Sequence, residues 1–127
     1  MTWENEDWSP HDGYWAGFID GEGCIRWANG PRLEVTNTFK PALTRLSHKF
    51  GGSVRLMQPA TARTRTVFRW TVDGWHALEC VKLLRPYLFE KAGQAETLIQ
   101  LGRTRPRSER RLVLLNRLRE MKKQDYA

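Results

Sequence analysis

Four short stretches of the chain alternate apolar and polar residues one by one, and they come in two pairs. Residues 23–29 set Ile25 and Trp27 against Cys24, Arg26 and Ala28, and residues 32–38 set Leu33 and Val35 against Arg32, Glu34 and Thr36. Asn29-Gly30 and Pro31 between them read as a hairpin turn. Further on, Val54 and Leu56 alternate with Ser53, Arg55 and Met57. After the loop QPATART, Phe68, Trp70 and Val72 alternate with Val67, Arg69 and Thr71. A period of two is the signature of a strand with one buried face.

The segments between the pairs have helical spacing. Ser9-Pro10 reads as an N-cap and first helical residue, opening a helix that runs to about Asp20. Pro41 opens a second helix with Leu43, Leu46 and Phe50, which Gly51-Gly52 stops. Asp73 is placed to cap a third, carrying Trp75, Leu78, Val81 and Leu84 and ending ahead of Pro86. A fourth is expected over about 88–101, and a fifth after the basic linker RTRPRS, capped by Ser108 and carrying Leu112, Leu115 and Leu118. The expectation is an α+β chain: an α-β-β-α-β-β-α core with a four-stranded antiparallel sheet, helices on one face, and a C-terminal helix. Residues 1–103 would form the core, and residues 104–127 a basic linker and helix belonging to the same domain.

If helices cover the apolar face of such a sheet, the other face is open and carries Arg26, Arg32, Arg55 and Arg69 among Glu34, Thr36, Ser53, Met57 and Thr71. Arginine donates two hydrogen bonds to guanine, and Ser, Thr and Glu read other base edges. The charge pattern agrees. Residues 1–23 hold six acids and no Lys or Arg, whereas residues 24–71 hold nine bases and one acid, Glu34. A block of this purity points to a polyanion, nucleic acid first. A merely solubilising surface interleaves both signs.

Other classes find little support. No apolar run approaches the length of a membrane span, and the acidic opening MTWENEDWSP lacks the order of a signal peptide. The reading is an intracellular protein, in a bacterial or phage-infected cytoplasm or an organelle. Cys24 and Cys80 form no CxxC pair, and His11, His48 and His76 are scattered. No zinc-ligand spacing, phosphate-binding GxxxxGK loop or GxSxG elbow is present, so no nucleotide cofactor is expected. Trp3, Trp8, Trp15 and Trp75 read as core or interface residues.

One stretch remains, YWAGFIDGEGCIRW at residues 14–27. Glycines at 13, 17 and 21 line one face of the first helix, each costing about 1 kcal/mol relative to alanine, and Asp20 and Glu22 close the run. WAGFIDGEG resembles the LAGLIDADG motif of the homing endonucleases, with Trp15 replacing the first Leu. LEVTNT at 33–38, FGGSV at 50–54 and LRPYLFEKAGQAETL at 84–98 fall in family-like places, so the resemblance covers roughly residues 8–101.

The resemblance implies a site-specific DNA endonuclease of the mobile-intron kind. It would cut both strands of a long, roughly palindromic duplex as a homodimer, since the motif occurs once. It implies helix-to-helix contact through Gly13, Ala16, Gly17 and Asp20, where small residues let backbones approach. It places Glu22 as the metal-binding acid, with the Gly21 carbonyl and, less directly, Asp20 as further ligands. Asn37 would orient metal-bound water, and Lys91 would stand near the scissile phosphate. The implied cofactor is Mg²⁺ or Mn²⁺, with Ca²⁺ binding without cleavage. The DNA-contacting set would be Arg26, Ala28, Arg32, Glu34, Thr36, Arg55, Met57, Arg65, Val67, Arg69 and Thr71. The alternative is a relative that keeps the fold without cleavage, as a DNA-binding protein or an RNA-splicing maturase.

Overall fold

A computed structural model describes residues 10–125. The element order is α1 (Asp12–Glu22), β1 (Gly23–Trp27), β2 (Pro31–Asn37), α2 (Lys40–Phe50), β3 (Ser53–Gln58), β4 (Val67–Asp73), α3 (Gly74–Leu84), a short 3₁₀ turn (Arg85–Tyr87), α4 (Ala92–Leu101) and α5 (Glu109–Asp125). The strands form one antiparallel sheet in the order β1-β2-β4-β3. The fold is thus the expected α+β arrangement.

The register explains why alternation is so strict. Ile25 pairs with Leu33, Leu33 with Val72, and Val35 with Trp70, so these residues share one face. That face packs on Trp15 and Ile19 of α1, Leu43 and Leu46 of α2, Val81 and Leu84 of α3 and Leu98 of α4 in one buried cluster. Each fully buried side chain of this size contributes about 1.5–3 kcal/mol. Trp70 also donates its indole N–H to the Gly51 carbonyl at 2.9 Å, which ties the end of α2 to the sheet. The hairpin between β1 and β2 turns as its Asn-Gly pair requires, with φ of 56° at Asn29 and 145° at Gly30. Leu56, expected on the apolar face, is instead exposed. It lies at a register shift between Leu56 and Gln58.

Helix α5 is docked. Leu114 and Leu118 bury against Leu101, with Trp27 and Leu115 packed beside them. The Arg111 guanidinium lies 4.8 Å from the Trp27 ring centroid. Lys122 donates to the Ile25 carbonyl at 3.0 Å, covering the outer edge of β1.

Two element boundaries and one cap differ from the sequence expectation. Helix α1 starts at Asp12 and runs on to Glu22, and its N-cap is His11, whose Nδ1 accepts from Gly13 N at 2.9 Å. Ser9 lies outside the described residues. Helix α4 begins at Ala92, not near 88: Leu88 is extended, with φ −78° and ψ 141°, and the backbone N–H groups of Phe89 and Lys91 that follow are held by the Asp20 carboxylate. Asp73 occupies the N-cap of α3 without a side-chain capping bond, because its carboxylate is engaged by Arg32. Among the described residues no helix is long and apolar enough to cross a membrane.

Candidate functional site

The open face of the sheet is built by the same register. Arg26 lies opposite Arg32, Glu34 opposite Thr71, Thr36 opposite Arg69, and Arg55 opposite Arg69. Arg32, Glu34, Ser53, Arg55, Met57, Arg69, Thr71 and Asp73 line one shallow depression across it. Two like charges directly opposite one another are destabilising unless something offsets them. For Arg26 and Arg32 the offset is internal. Glu34, only 8% exposed, accepts from Arg26 Nη1 at 3.3 Å and lies 3.8 Å from Arg32 Nη1. Asp73 accepts from Arg32 Nε at 2.5 Å, and this hydrogen bond is the main reason the guanidinium is held above its ordinary pKa. For Arg55 and Arg69 there is no such offset. Arg69 donates to the Thr36 hydroxyl at 3.1 Å, and no acid among the described residues pairs with either arginine.

At the inner end of this face, α1 delivers its last residue. Glu22 is exposed and shares an open depression with Thr36, Asn37, Thr38 and Val67. Asn37 accepts from Phe39 N through Oδ1 at 2.9 Å, which fixes the side chain and leaves its amide N–H₂ as a donor. Among the described residues no group of three or more His, Cys, Asp or Glu side chains is present to hold a metal. The oxygen groups lining this depression are the Glu22 carboxylate, the Asn37 amide and the Thr36 and Thr38 hydroxyls, and the Gly21 carbonyl adjoins Glu22 at the C-terminal end of α1. They suit a hard cation. Mg²⁺ is commonly held by one or two carboxylates, with phosphates and water completing the shell, so the donor set fits part of such a site.

Behind Glu22 lies a tightly bonded pair. Asp20 accepts from Phe89 N at 2.7 Å through Oδ2 and from Lys91 N at 3.0 Å through Oδ1. Lys91 is 2% exposed, and its Nζ donates to the Asp20 carbonyl at 2.5 Å. A solvated surface lysine is therefore the wrong description of Lys91. Its ammonium satisfies a terminal carbonyl of α1 and offsets the partial negative charge of that helix end, which otherwise disfavours an acid at Glu22.

The helix face expected to meet a second copy is partly reassigned. Ala16 is 0% exposed, inside the protomer's own core with Trp15 and Ile19, so it has no surface to offer a partner. Gly17 and Gly21 are exposed, and a Cβ on either would meet nothing within 4 Å. Packing inside the protomer thus gives no reason for them to be glycine. At the end of this helix internal packing does demand glycine at Gly23, where a Cβ would sit 2.8 Å from the Ile19 carbonyl oxygen. Gly13 is closely bounded by the His11 ring. Ala28 lies in the turn after β1, Arg65 in the exposed loop between β3 and β4, and Trp75 is 68% exposed instead of in the core.

A two-layer α+β unit with an uncovered arginine-rich sheet face and an acid-ended helix at one end of it is a fold with known counterparts. The chain has the fold of the LAGLIDADG homing endonucleases. It is similar to the crystal structure of the homing endonuclease I-CvuI in complex with its target, with a TM-score of 0.69 and 20% identity over 87% of this chain and 80% of that one. An archaeal intron-encoded homing endonuclease, I-Vdi141I, complexed with DNA, gives a TM-score of 0.65 and 16% identity, covering 87% of this chain and 82% of that one. The LAGLIDADG homing endonuclease I-SmaMI bound to cleaved DNA gives 0.60 and 15%, covering 93% of this chain but only 44% of that one. No protein-family model and no curated protein matches the sequence.

Proposed function

We propose that the protein is a site-specific, divalent-metal-dependent DNA endonuclease that acts as a homodimer. The observation that carries the reading is the placement of Glu22 and Asn37 together at the inner end of an arginine-lined sheet face. The opposed Arg55 and Arg69 add to it, since their mutual repulsion calls for counter-charge from outside the chain, and DNA phosphate supplies it. The structural counterparts named above are homing endonucleases, one in complex with its target, one complexed with DNA and the third bound to cleaved DNA.

Each residue then has a task. Glu22 and the Gly21 carbonyl would hold the cation, which when bound would supply Lewis-acid polarisation of the phosphodiester and activation of water. Asn37, with its amide N–H₂ left as a donor, would orient water at this spot. Lys91 keeps a fixed positive charge at the helix end that presents Glu22. The sheet arginines set position and sequence preference. Asp20, with both carboxylate oxygens committed to backbone N–H groups, holds Lys91 in place and is assigned no metal.

The test is Glu22→Gln, which keeps the shape and removes the charge. In Mg²⁺, wild type should cut a subset of a randomised duplex library, and the variant should bind the same subset without cutting it. Cleavage by the variant at the wild-type rate would show that Glu22 is not the metal-binding acid. One observation favours a second reading, a DNA-binding protein without cleavage: only one of the two motif acids, Glu22, is unengaged in each protomer. A wild type that binds selected duplexes and never cuts them would establish that reading instead.

A further inference from the structure

The four sheet arginines are not equivalent, and the acids beside them say how they differ. Arg32 and Asp73 are direct cross-strand partners at the outer end of β2 and β4, far from Glu22. The carboxylate takes the Nε edge of the guanidinium, at 2.5 Å. Glu34 stands 3.8 Å from Nη1, beyond hydrogen-bond distance. A guanidinium held through Nε is fixed in direction, and its terminal N–H groups, though drawn toward Glu34 at Nη1, make no hydrogen bond among the described residues and can donate in parallel. That pair of donors is what guanine O6 and N7 accept in the major groove. An arginine meant to grip phosphate gains nothing from two flanking acids, which weaken the local positive potential.

Resting on the reading that this face meets duplex DNA, we propose that Asp73 is a positioning residue that aims Arg32 at a guanine in the outer part of each half-site. Arg32 is then a base reader of fixed direction. Arg55 and Arg69, with no acid beside them, supply the general attraction for the backbone. Asp73 has no capping bond to α3, so this ion pair accounts for its carboxylate.

The test is a binding selection from a randomised duplex library, run without added divalent cation so that bound DNA is recovered uncut. The proteins are full-length wild type, Arg32→Ala, Asp73→Asn, the double variant and Asp73→Glu. Wild type should prefer guanine at one outer position per half-site by about 5- to 150-fold, the range of one bidentate pair. Arg32→Ala and Asp73→Asn should both flatten that position and no other. The double variant should be no flatter than Arg32→Ala alone, because both changes remove one interaction. Asp73→Glu, which keeps the charge, should restore part of the preference. If Asp73→Asn instead tightens binding to all sequences alike, Arg32 is a phosphate grip with a repulsive neighbour, and the inference fails. It also fails if Asp73→Asn loses all duplexes equally. A wild type that enriches no sequence overturns both this inference and the nuclease reading beneath it.

Discussion

Asp20 is the residue at which a metal-ligand role and a structural role make opposite predictions. Its carboxylate accepts one exposed hydrogen bond, from Phe89 N, and one partly buried bond, from Lys91 N. Bonds to a charged acceptor are worth about 1.5–3 kcal/mol, and an exposed one falls toward about 1 kcal/mol. Asp20→Ala removes both and leaves the Lys91 N–H in a partly buried setting without an acceptor. The summed cost is about 3 kcal/mol. For a chain of this size, about 4 °C of melting temperature accompanies each kcal/mol, so the expected loss is about 12 °C. Asp20→Asn keeps one acceptor oxygen and should lose about half as much.

Both variants should be melted at a single fixed protein concentration, because the proposed dimerisation would make stability concentration-dependent. Metal binding is then measured separately by calorimetric titration of Mg²⁺ into the protein with uncut duplex. The structural account expects a large fall in melting temperature for Asp20→Ala and a Mg²⁺ affinity for Asp20→Asn close to that of wild type. An unchanged melting temperature together with lost Mg²⁺ binding would refute it and make Asp20 a ligand.

Two further outcomes are expected. Gly17→Leu should produce a well-folded protomer, since nothing lies within 4 Å of the added Cβ, yet sediment as a monomer at micromolar concentration; a monomeric wild type, free and on DNA, would refute the dimer. Burial pushes the Cys80 thiol up to about 12, with the Asp12 charge adding to the effect. The unfolded thiol ionises first, so this stability is intact below about pH 8.5 and should be lost as pH rises from there toward 12. Denaturation midpoints across that range should fall more steeply for wild type than for Cys80→Ala, and equal slopes would contradict the buried neutral thiol.

Most of the fold was legible because a sheet covered on one side writes its register into the chain. A one-residue slip at β2 would bury Arg32 and Glu34 and expose Leu33 and Val35, so the alternation has to be strict. The Asn-Gly turn and Gly51-Gly52 mark ends that local chemistry alone sets. The misplaced start of α4 and the missing capping bond of α3 have long-range causes. Leu88 and Phe89 continue a plausible helix, but the N–H groups of Phe89 and Lys91 bond to a carboxylate some 70 residues earlier in the chain. Asp73 satisfies every local rule for a cap, and an arginine 41 residues away takes its carboxylate instead. Ala16 was readable and misread. Trp15, Ala16 and Ile19 fall on one helix face, and that face belongs to the protomer's own core. The glycine spacing drew Ala16 to the opposite side.

Glu22 and Asn37 were singled out by the resemblance, and the structure supplies a physical reason for their neighbours. A carboxylate at a helix C-terminus is an unfavourable element, and two features offset it. Lys91 is buried against the Asp20 carbonyl, and the Glu22 side chain itself opens onto a depression at the edge of a cationic face. The same helix that ends in Glu22 leaves Gly17 and Gly21 facing open space. In the proposed homodimer, association along α1 and placement of the acid would be properties of one rigid element. Any shift of the helix on that partner would move Glu22 by the same amount. The Asp20 bonds to the Phe89–Lys91 segment brace that element against the rest of the chain, which gives Asp20 a structural task two residues from the exposed Glu22.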